Sequence, residues 1–227
     1  MSELEILYED NHIIVVVKPC NVLSQRDSTG DEDMLTIIKK YIKEKYNKPG
    51  NVYLGLVHRL DRPVSGVMVF AKTSKAASRL SEQMKKNSFS KKYLAVVNDN
   101  AISDDGVYED YLLKTDDGKT IISTEDEGKY SKLHYKVVEK NKESKMVLVS
   151  INLESGRHHQ IRVQFASRGH VIYGDQRYGT SDKKQIALHA YEISFEHPVT
   201  HQIMTFSTMP KNKSDGWEKF VLTKMTK

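Results

Sequence analysis

The sequence predicts an α+β fold built around a long, largely antiparallel sheet. Many short apolar stretches are bounded by Gly, Pro, Asn and Asp, which is typical of strands separated by turns. Only a few segments show the apolar spacing of a helix. Strands and helices do not alternate strictly, which favours an antiparallel arrangement over a parallel, doubly wound one.

The amino-terminal part supplies strands and two helices. The stretch ILYEDNHIIVVVKP predicts two strands around a turn at Asp10–Asn11. DEDMLTIIKKYIKEKYN has apolar residues at helical spacing after an acidic start, and residues 74–87 form a second amphipathic segment. The apolar runs at 67–71 and 90–98 predict buried strands.

The carboxyl-terminal part is predicted to be richer in strands. VYEDYLLK, SKLHYKVVEK and SKMVLVSINLE are typical of an antiparallel meander, and the polar segment 116–129 is interpreted as a mobile excursion from it. RHHQIRVQFASRG changes to helical spacing, and Gly169 is a suitable residue to end that helix. The remaining predicted elements are two strands and a short final helix, in QIALHAYEISFEHP, HQIMTFSTMP and residues 217–220.

The length suits one large domain or two small ones, and because no low-complexity linker divides the sequence we expect a single domain over residues 1–227. The net charge is +5 and the pI is near 9.0. This basic balance suits a polyanion such as nucleic acid, but it is a weak indication alone. Cys20 is the only cysteine, which fits a reducing compartment. The amino terminus lacks a signal peptide and no apolar run is long enough for a membrane span, so we expect a cytoplasmic protein. Nothing indicates a dedicated oligomerisation element or protein partner, and we expect a monomer.

The stretch VHRLDRPVSGVMVFAK concentrates charge beside an apolar strand. Asp61 lies between Arg59 and Arg62, just before a turn. The kinase catalytic loop is excluded, because the sequence lacks both its glycine-rich loop and its Asp-Phe-Gly motif. From the residues alone, a structural ion pair between Asp61 and an arginine is the simpler interpretation.

Two further segments carry candidate functional residues. In KKYLAVV, strand alternation places Tyr93 on one face with Ala95 and Val97, where simple packing is an adequate explanation. The segment 153–180 is rich in Arg, His and Gly. His158, His159 and His170 could be metal ligands, but adjacent histidines on a helix diverge by roughly 100°, so a metal site is not expected. Phosphate binding and a solvated basic helix face remain open.

These segments together resemble one family. HRLDRPVSG, KKYLAVV, SGRHHQIRVQFASRGHVIYGDQRYG and LHAYEISFEHP are similar, in order and spacing, to motifs of the RluA-type pseudouridine synthases. The resemblance implies an α+β catalytic domain with a long, bent sheet and a central active-site cleft. Many family members also carry an amino-terminal S4 RNA-binding domain. This chain is expected to be a stand-alone catalytic domain.

The resemblance implies a catalytic role for three residues. Asp61 corresponds to the family's catalytic aspartate, Tyr93 to its active-site tyrosine, and Arg162 to the arginine that pairs with the aspartate. A guanidinium favours the charged form of a carboxylate and fits its two oxygens. Isomerisation of uridine changes no oxidation state, so no cofactor or metal is expected.

The implied substrate is RNA, either ribosomal or transfer RNA. Candidate contacts to its backbone are Arg59, Arg62, Lys91, Arg157 and His159. A catalytically silent RNA-binding protein on the same scaffold is the main alternative, since a fold alone does not fix function. A glycosidase would need a second carboxylate beside Asp61, for which the motifs offer Asp175.

Overall fold

The structure is a computed structural model that describes residues 4–98, 101–179, 184–211, 216–220 and 222. The chain divides into two compact units. The first consists of Met1–Ser90 and Ala190–Thr208, and the second of Lys91–His189 and Met209–Lys227. The expectation that residues 1–227 form a single domain stays a prediction.

The described residues form strands, three α-helices and one 3-10 turn. The strands are β1 (Ile6–Glu9), β2 (Ile13–Lys18), β3 (Gly55–Leu56), β4 (Ser65–Ala71), β5 (Ser90–Val97), β6 (Asp105–Lys114), β7 (Thr120–Ser123), β8 (Lys129–Asn141), β9 (Met146–Leu153), β10 (Leu188–Glu196) and β11 (Ile203–Ser207). The helices are α1 (Met34–Lys45), α2 (Ser74–Lys85) and α3 (Gln160–Ala166), and the 3-10 turn is Trp217–Lys219. The predicted α+β class is confirmed.

The strands of the first unit run in the order β1-β2-β4-β10, with β3 beside β4 and β11 beside β10. Strand β2 is antiparallel to both β1 and β4. The side chains of Ile13–Val16 and Val67–Ala71 are fully buried, which explains why both strands are continuous apolar runs. Leu80 of α2 packs into the same core, together with Phe89 and Phe195.

The strands of the second unit run in the order β5-β9-β8-β6-β7, and every neighbouring pair is antiparallel. This arrangement confirms the predicted meander. Helix α3 is short, and Phe165 on it is fully buried against Tyr108 and Tyr135. Gly169 follows α3 with φ +81°, in the left-handed region that glycine adopts without strain, as predicted for the end of this helix.

The segment 116–129 differs from its prediction as an excursion. Residues Thr120–Ser123 within it form β7, which pairs with β6 from Tyr111 to Lys114. The polar neighbours of Ile121 and Ile122 hide this strand in the sequence, because an edge strand can leave such side chains exposed. The backbone N–H of Thr120 donates to the hydroxyl of Tyr178 at 2.8 Å, a distant residue that fixes the hairpin.

Side-chain caps fix the start of two helices. The Asp33 carboxylate accepts the backbone N–H of Thr36 at the start of α1, and the Thr73 hydroxyl accepts that of Ala76 at the start of α2. No helix among the described residues has the length and apolar character that crossing a bilayer requires.

A buried carboxylate ties α1 to the sheet of the first unit. Glu9 accepts hydrogen bonds from the ammonium groups of Lys45 and Lys72 and from the hydroxyls of Tyr41 and Tyr46, at 2.7–3.0 Å. Burial raises the pKa of Glu9, but these donors outweigh it and lower the pKa to about 2.

We expect Glu9→Gln to lower the free energy of unfolding by about 2–3 kcal/mol at pH 7. Because the folded pKa lies below the ordinary 4.5, the stabilisation is complete above pH 4.5 and is lost as pH falls towards 2. In denaturant titrations of both proteins between pH 7 and 3, the difference in unfolding free energy should therefore narrow as the pH falls below 4.5. Glu82→Gln, which removes an exposed pair with Lys86, is the matched control. A constant difference between wild type and Glu9→Gln would contradict the assigned pKa.

Candidate active site

Asp61 lies in the first unit, in the loop between β3 and β4. The loop exposes Arg59 and Arg62, buries His58 and Leu60, and leaves Asp61 half-buried. A turn follows, because the backbone N–H of residue 64 donates to the carbonyl of Asp61 at 3.0 Å. The sequence pattern therefore places the carboxylate at an accessible position on an anchored loop.

The backbone beside Asp61 is held by a buried serine. The Ser24 hydroxyl accepts the N–H of Leu60 at 3.0 Å and donates to the carbonyl of Leu60 at 2.7 Å. His58 is also structural, since its Nε2 accepts the N–H of Val69 at 3.1 Å. These contacts fix the residues that precede Asp61.

A second buried side chain holds the other side of the loop. Lys18, at the end of β2, is fully buried, and its ammonium donates to the carbonyls of Pro19, Val22 and Arg62 at 2.6–3.0 Å. Burial lowers the pKa of Lys18 to about 7, and the negative charge of Asp61 acts in the opposite direction. Lys18 thus links the turn after β2 to the residue that follows Asp61.

Close packing against a neighbouring strand explains why the Arg-Pro-Val-Ser-Gly turn ends in glycine. Gly66 has φ +134°, and a β-carbon there would lie 2.3 Å from the carbonyl oxygen of Ala190. Only glycine therefore allows β4 to begin immediately after the turn, against the neighbouring strand.

Tyr93 and Arg162 lie in the second unit. Tyr93 is on β5 opposite Ile151 of β9, and it is 8% exposed. Lys91, two residues earlier on the same strand face, is 7% exposed, whereas Lys92 on the opposite face is exposed. The strand alternation predicted from KKYLAVV is therefore observed.

Arg162 is buried in α3 and forms a bidentate ion pair with Asp175. Its Nε and one terminal nitrogen each lie 2.8 Å from a carboxylate oxygen of Asp175. The same carboxylate accepts the backbone N–H groups of Arg177 and Tyr178. Burial raises the pKa of Asp175, but Arg162 and these N–H groups outweigh it and lower the pKa overall. A carboxylate engaged in this way, with a lowered pKa, is unsuited to be the protonated acid of a glycosidase, which disfavours that alternative.

The two adjacent histidines do not diverge as predicted. The rings of His158 and His159 stack with centroids 3.7 Å apart. The reason is that α3 begins only at Gln160, and His159 has a left-handed backbone with φ 51°. Nδ1 of His158 lies 2.9 Å from the hydroxyl of Thr120, and Nδ1 of His159 lies 2.9 Å from that of Tyr178.

The predicted RNA-binding residues differ in their surroundings. Arg62 forms an exposed ion pair with Asp31 at 2.7 Å, which is easily exchanged for another anion. Arg59 and Arg157 are exposed, Lys91 is buried, and His159 is half-buried. Across the described part of the chain, no cluster of three or more His, Cys, Asp or Glu side chains could hold a metal ion.

Sequence reasoning missed two residues, one in each unit, that contact candidate site residues or the loops that carry them. Lys18 could have been suspected, because it is the one charged residue closing an otherwise apolar strand before a proline. Tyr178 has no such signal: its ring lies 5.3 Å from the guanidinium of Arg162, and its hydroxyl binds Thr120 and His159, which are far away in sequence.

Comparison with known proteins defines the class of enzyme. The model of the RNA pseudouridylate synthase family matches residues 12–167. The chain therefore belongs to this family, and its class is that of an RNA pseudouridine synthase, an isomerase.

Individual relatives agree with this class. The chain is 32% identical over 205 residues to the uncharacterized RNA pseudouridine synthase YhcT of Bacillus subtilis, covering 89% of this chain and 67% of that protein. It is 31% identical over 230 residues to ribosomal large subunit pseudouridine synthase D of Buchnera aphidicola, covering 93% and 71%. The fold resembles human RNA pseudouridylate synthase domain containing 4, with a TM-score of 0.76, 20% identity, and coverage of 95% and 92%.

Proposed function

We propose that this enzyme isomerises specific uridines of ribosomal RNA, with Asp61 as the essential carboxylate. The substrate is suggested by the relative from Buchnera aphidicola, whose name states that it acts on the large ribosomal subunit. Transfer RNA is the other substrate class that the sequence resemblance allows.

The reaction leaves the elemental composition of the nucleotide unchanged. The bond from N1 of uracil to C1′ of ribose breaks, the base rotates, and C5 bonds to C1′. C5 then loses its hydrogen to solvent and N1 gains one. No electron acceptor takes part, so the proposal requires no redox cofactor and no metal.

One observation supports Asp61 most strongly. Its loop is fixed on one side by Ser24 and on the other by the fully buried ammonium of Lys18, yet the carboxylate itself is only half-buried. A positioned, accessible carboxylate suits either of two roles. Asp61 attacks C1′ as a nucleophile, or it assists proton loss at C2′ to give a glycal-like intermediate.

Tyr93 and Arg162 are proposed to support this chemistry. Tyr93 packs against the extruded uracil and keeps it oriented during rotation. This role is preferred to removal of the C5 proton, because a phenol is a weak base at neutral pH. Arg162 supplies positive charge for Asp61. Its ion pair with Asp175 uses Nε and one terminal nitrogen, so the guanidinium is fixed in orientation by Asp175.

The target uridine must leave its stack, which costs a few kcal/mol. Contacts from Arg59, Arg62, Lys91, Arg157 and His159 to the RNA are proposed to offset that cost. Action as a monomer in the cytoplasm belongs to the same proposal.

Tritium release tests the proposed function. Ribosomal and transfer RNA, transcribed in vitro with tritium at C5 of uridine, are incubated separately with the enzyme. We expect release from ribosomal RNA, because the new bond at C5 expels that hydrogen. Release from transfer RNA alone would correct the substrate class. Binding of both RNAs without any release would show a silent RNA-binding protein.

A further inference from the structure

The second unit contains a buried lysine, Lys91, for which the described residues provide no anion. Lys91 is 7% exposed, and among the residues that the structure describes its ammonium forms no hydrogen bond and no ion pair. A buried charge without a partner is costly, so such groups normally find one.

A second cation, Arg157, adds to this cost. Burial, together with the smaller effect of the positive charge of Arg157, lowers the pKa of Lys91 to about 8. Two carboxylates of the same unit are already engaged, because Glu154 pairs with His134 and Glu109 pairs with Lys132. Two cations therefore lie close together without a described counterion.

The loop that carries Arg157 is firmly held. The Gln160 side-chain oxygen accepts the N–H of Arg157 and the hydroxyl of Ser155, at 3.1 and 2.8 Å. Nε of Arg157 donates to the carbonyl of Tyr130 at 3.2 Å. Arg157 thus needs little reorganisation to bind an anion, since its position is fixed beforehand.

A glycine keeps the ammonium accessible. A β-carbon on Gly156 would lie 3.2 Å from Nζ of Lys91, so the amine lies directly against the bare backbone of this residue. Gly156 and Arg157 are both exposed, which opens the position of the amine to solvent on that side.

We propose that Lys91 and Arg157 together bind one phosphodiester of the RNA strand, next to the uridine that is isomerised. The placement follows from β5, where Lys91 and Tyr93 share a face two residues apart, about 7 Å along the strand. This inference rests on the proposed function, in which Tyr93 holds the target base.

The first test is the salt dependence of binding to an unmodified large-subunit ribosomal RNA transcript. We expect Lys91→Met to bind about tenfold more weakly. The slope of log affinity against log salt should decrease by about 0.7–1, because one phosphate contact is lost. Lys92→Met is the matched control and should keep the wild-type slope. An unchanged affinity and slope for Lys91→Met would overturn the proposal.

Stability separates this role from a structural one. Because Lys91→Met removes an unpaired buried charge, its Tm should equal that of wild type or rise by roughly 2–4 °C. A strong fall in Tm would show that the ammonium stabilises the fold and would contradict its assignment to anion binding. Gly156→Ala, which crowds the ammonium without removing it, should also weaken RNA binding, and wild-type affinity would count against the site.

Replacing single phosphodiesters of the RNA by uncharged linkages identifies the phosphate that Lys91 binds. A synthetic RNA carrying the mapped uridine receives single methylphosphonates, each of which removes one phosphate charge. The linkage beside that uridine should weaken binding to wild type about tenfold and to Lys91→Met hardly at all. Equal losses in both proteins would overturn the assignment. If wild type isomerises the RNA and Lys91→Met binds it with wild-type affinity and salt dependence, only this inference is refuted. If wild type binds the RNA but does not isomerise it, the proposed function is refuted.

Discussion

Asp61→Asn should abolish tritium release, with a rate at least about 10³-fold below wild type. Asparagine has the same shape but cannot attack C1′ as a carboxylate or accept the C2′ proton. The contacts of Ser24 and Lys18 involve backbone groups of the neighbouring residues, so they survive the substitution. RNA affinity should therefore stay close to that of wild type.

The matched control for Asp61→Asn is Asp104→Asn. Asp104 is an exposed aspartate that pairs with Lys140 outside the family motifs, so its loss should leave activity unchanged. Thermal unfolding of Asp61→Asn excludes a trivial loss of structure. Turnover near the wild-type rate by a folded Asp61→Asn protein would refute the catalytic assignment.

Arg162 substitutions should have the second largest effect, and they must be designed around Asp175. Arg162→Ala leaves a buried carboxylate without its cation, which we expect to lower the free energy of unfolding by about 3–5 kcal/mol. Activity should also fall strongly, yet this variant alone cannot separate unfolding from lost chemistry. Arg162→Lys keeps the charge but not the planar fork, and we expect it to fold and to lose about 10²-fold in rate.

A double variant completes this test. In Arg162→Met with Asp175→Asn, both buried charges are removed together, so stability should recover relative to Arg162→Ala. Isomerisation should remain lost, because the guanidinium proposed to support Asp61 is absent. Recovery of both stability and activity would show that Arg162 serves only the fold, and that other groups hold Asp61.

Most of the secondary structure was predictable because it follows from local patterns. The continuous apolar runs of β2 and β4 and the helical spacing of α1 appear in the structure as expected. Strand β7 was not predictable, because Ile121 and Ile122 lie exposed on an edge strand among polar residues. Its position depends on pairing with β6 and on Tyr178, both non-local contacts.

The candidate catalytic residues were named from motifs, and only their surroundings came from the structure. The stacking of His158 and His159 illustrates the limit of local reasoning. Periodicity placed both on a helix, but a left-handed residue ends the preceding loop and α3 begins one residue later. A backbone conformation of this kind leaves no reliable trace in the apolar spacing.

Apolar spacing, turn residues and the order of the motifs were sufficient to predict the α+β class, most of the elements and the family motifs that contain Asp61, Tyr93 and Arg162. Three contacts became visible only in the folded structure: Lys18 binds the loop that carries Asp61, Asp175 pairs with Arg162, and Lys91 is buried near Arg157. The physical reason is that pattern and spacing report local backbone and burial. The partner of a charged side chain depends instead on the folded structure. Folding brings residues that are distant in sequence within hydrogen-bonding distance, or it buries a charged group away from any partner.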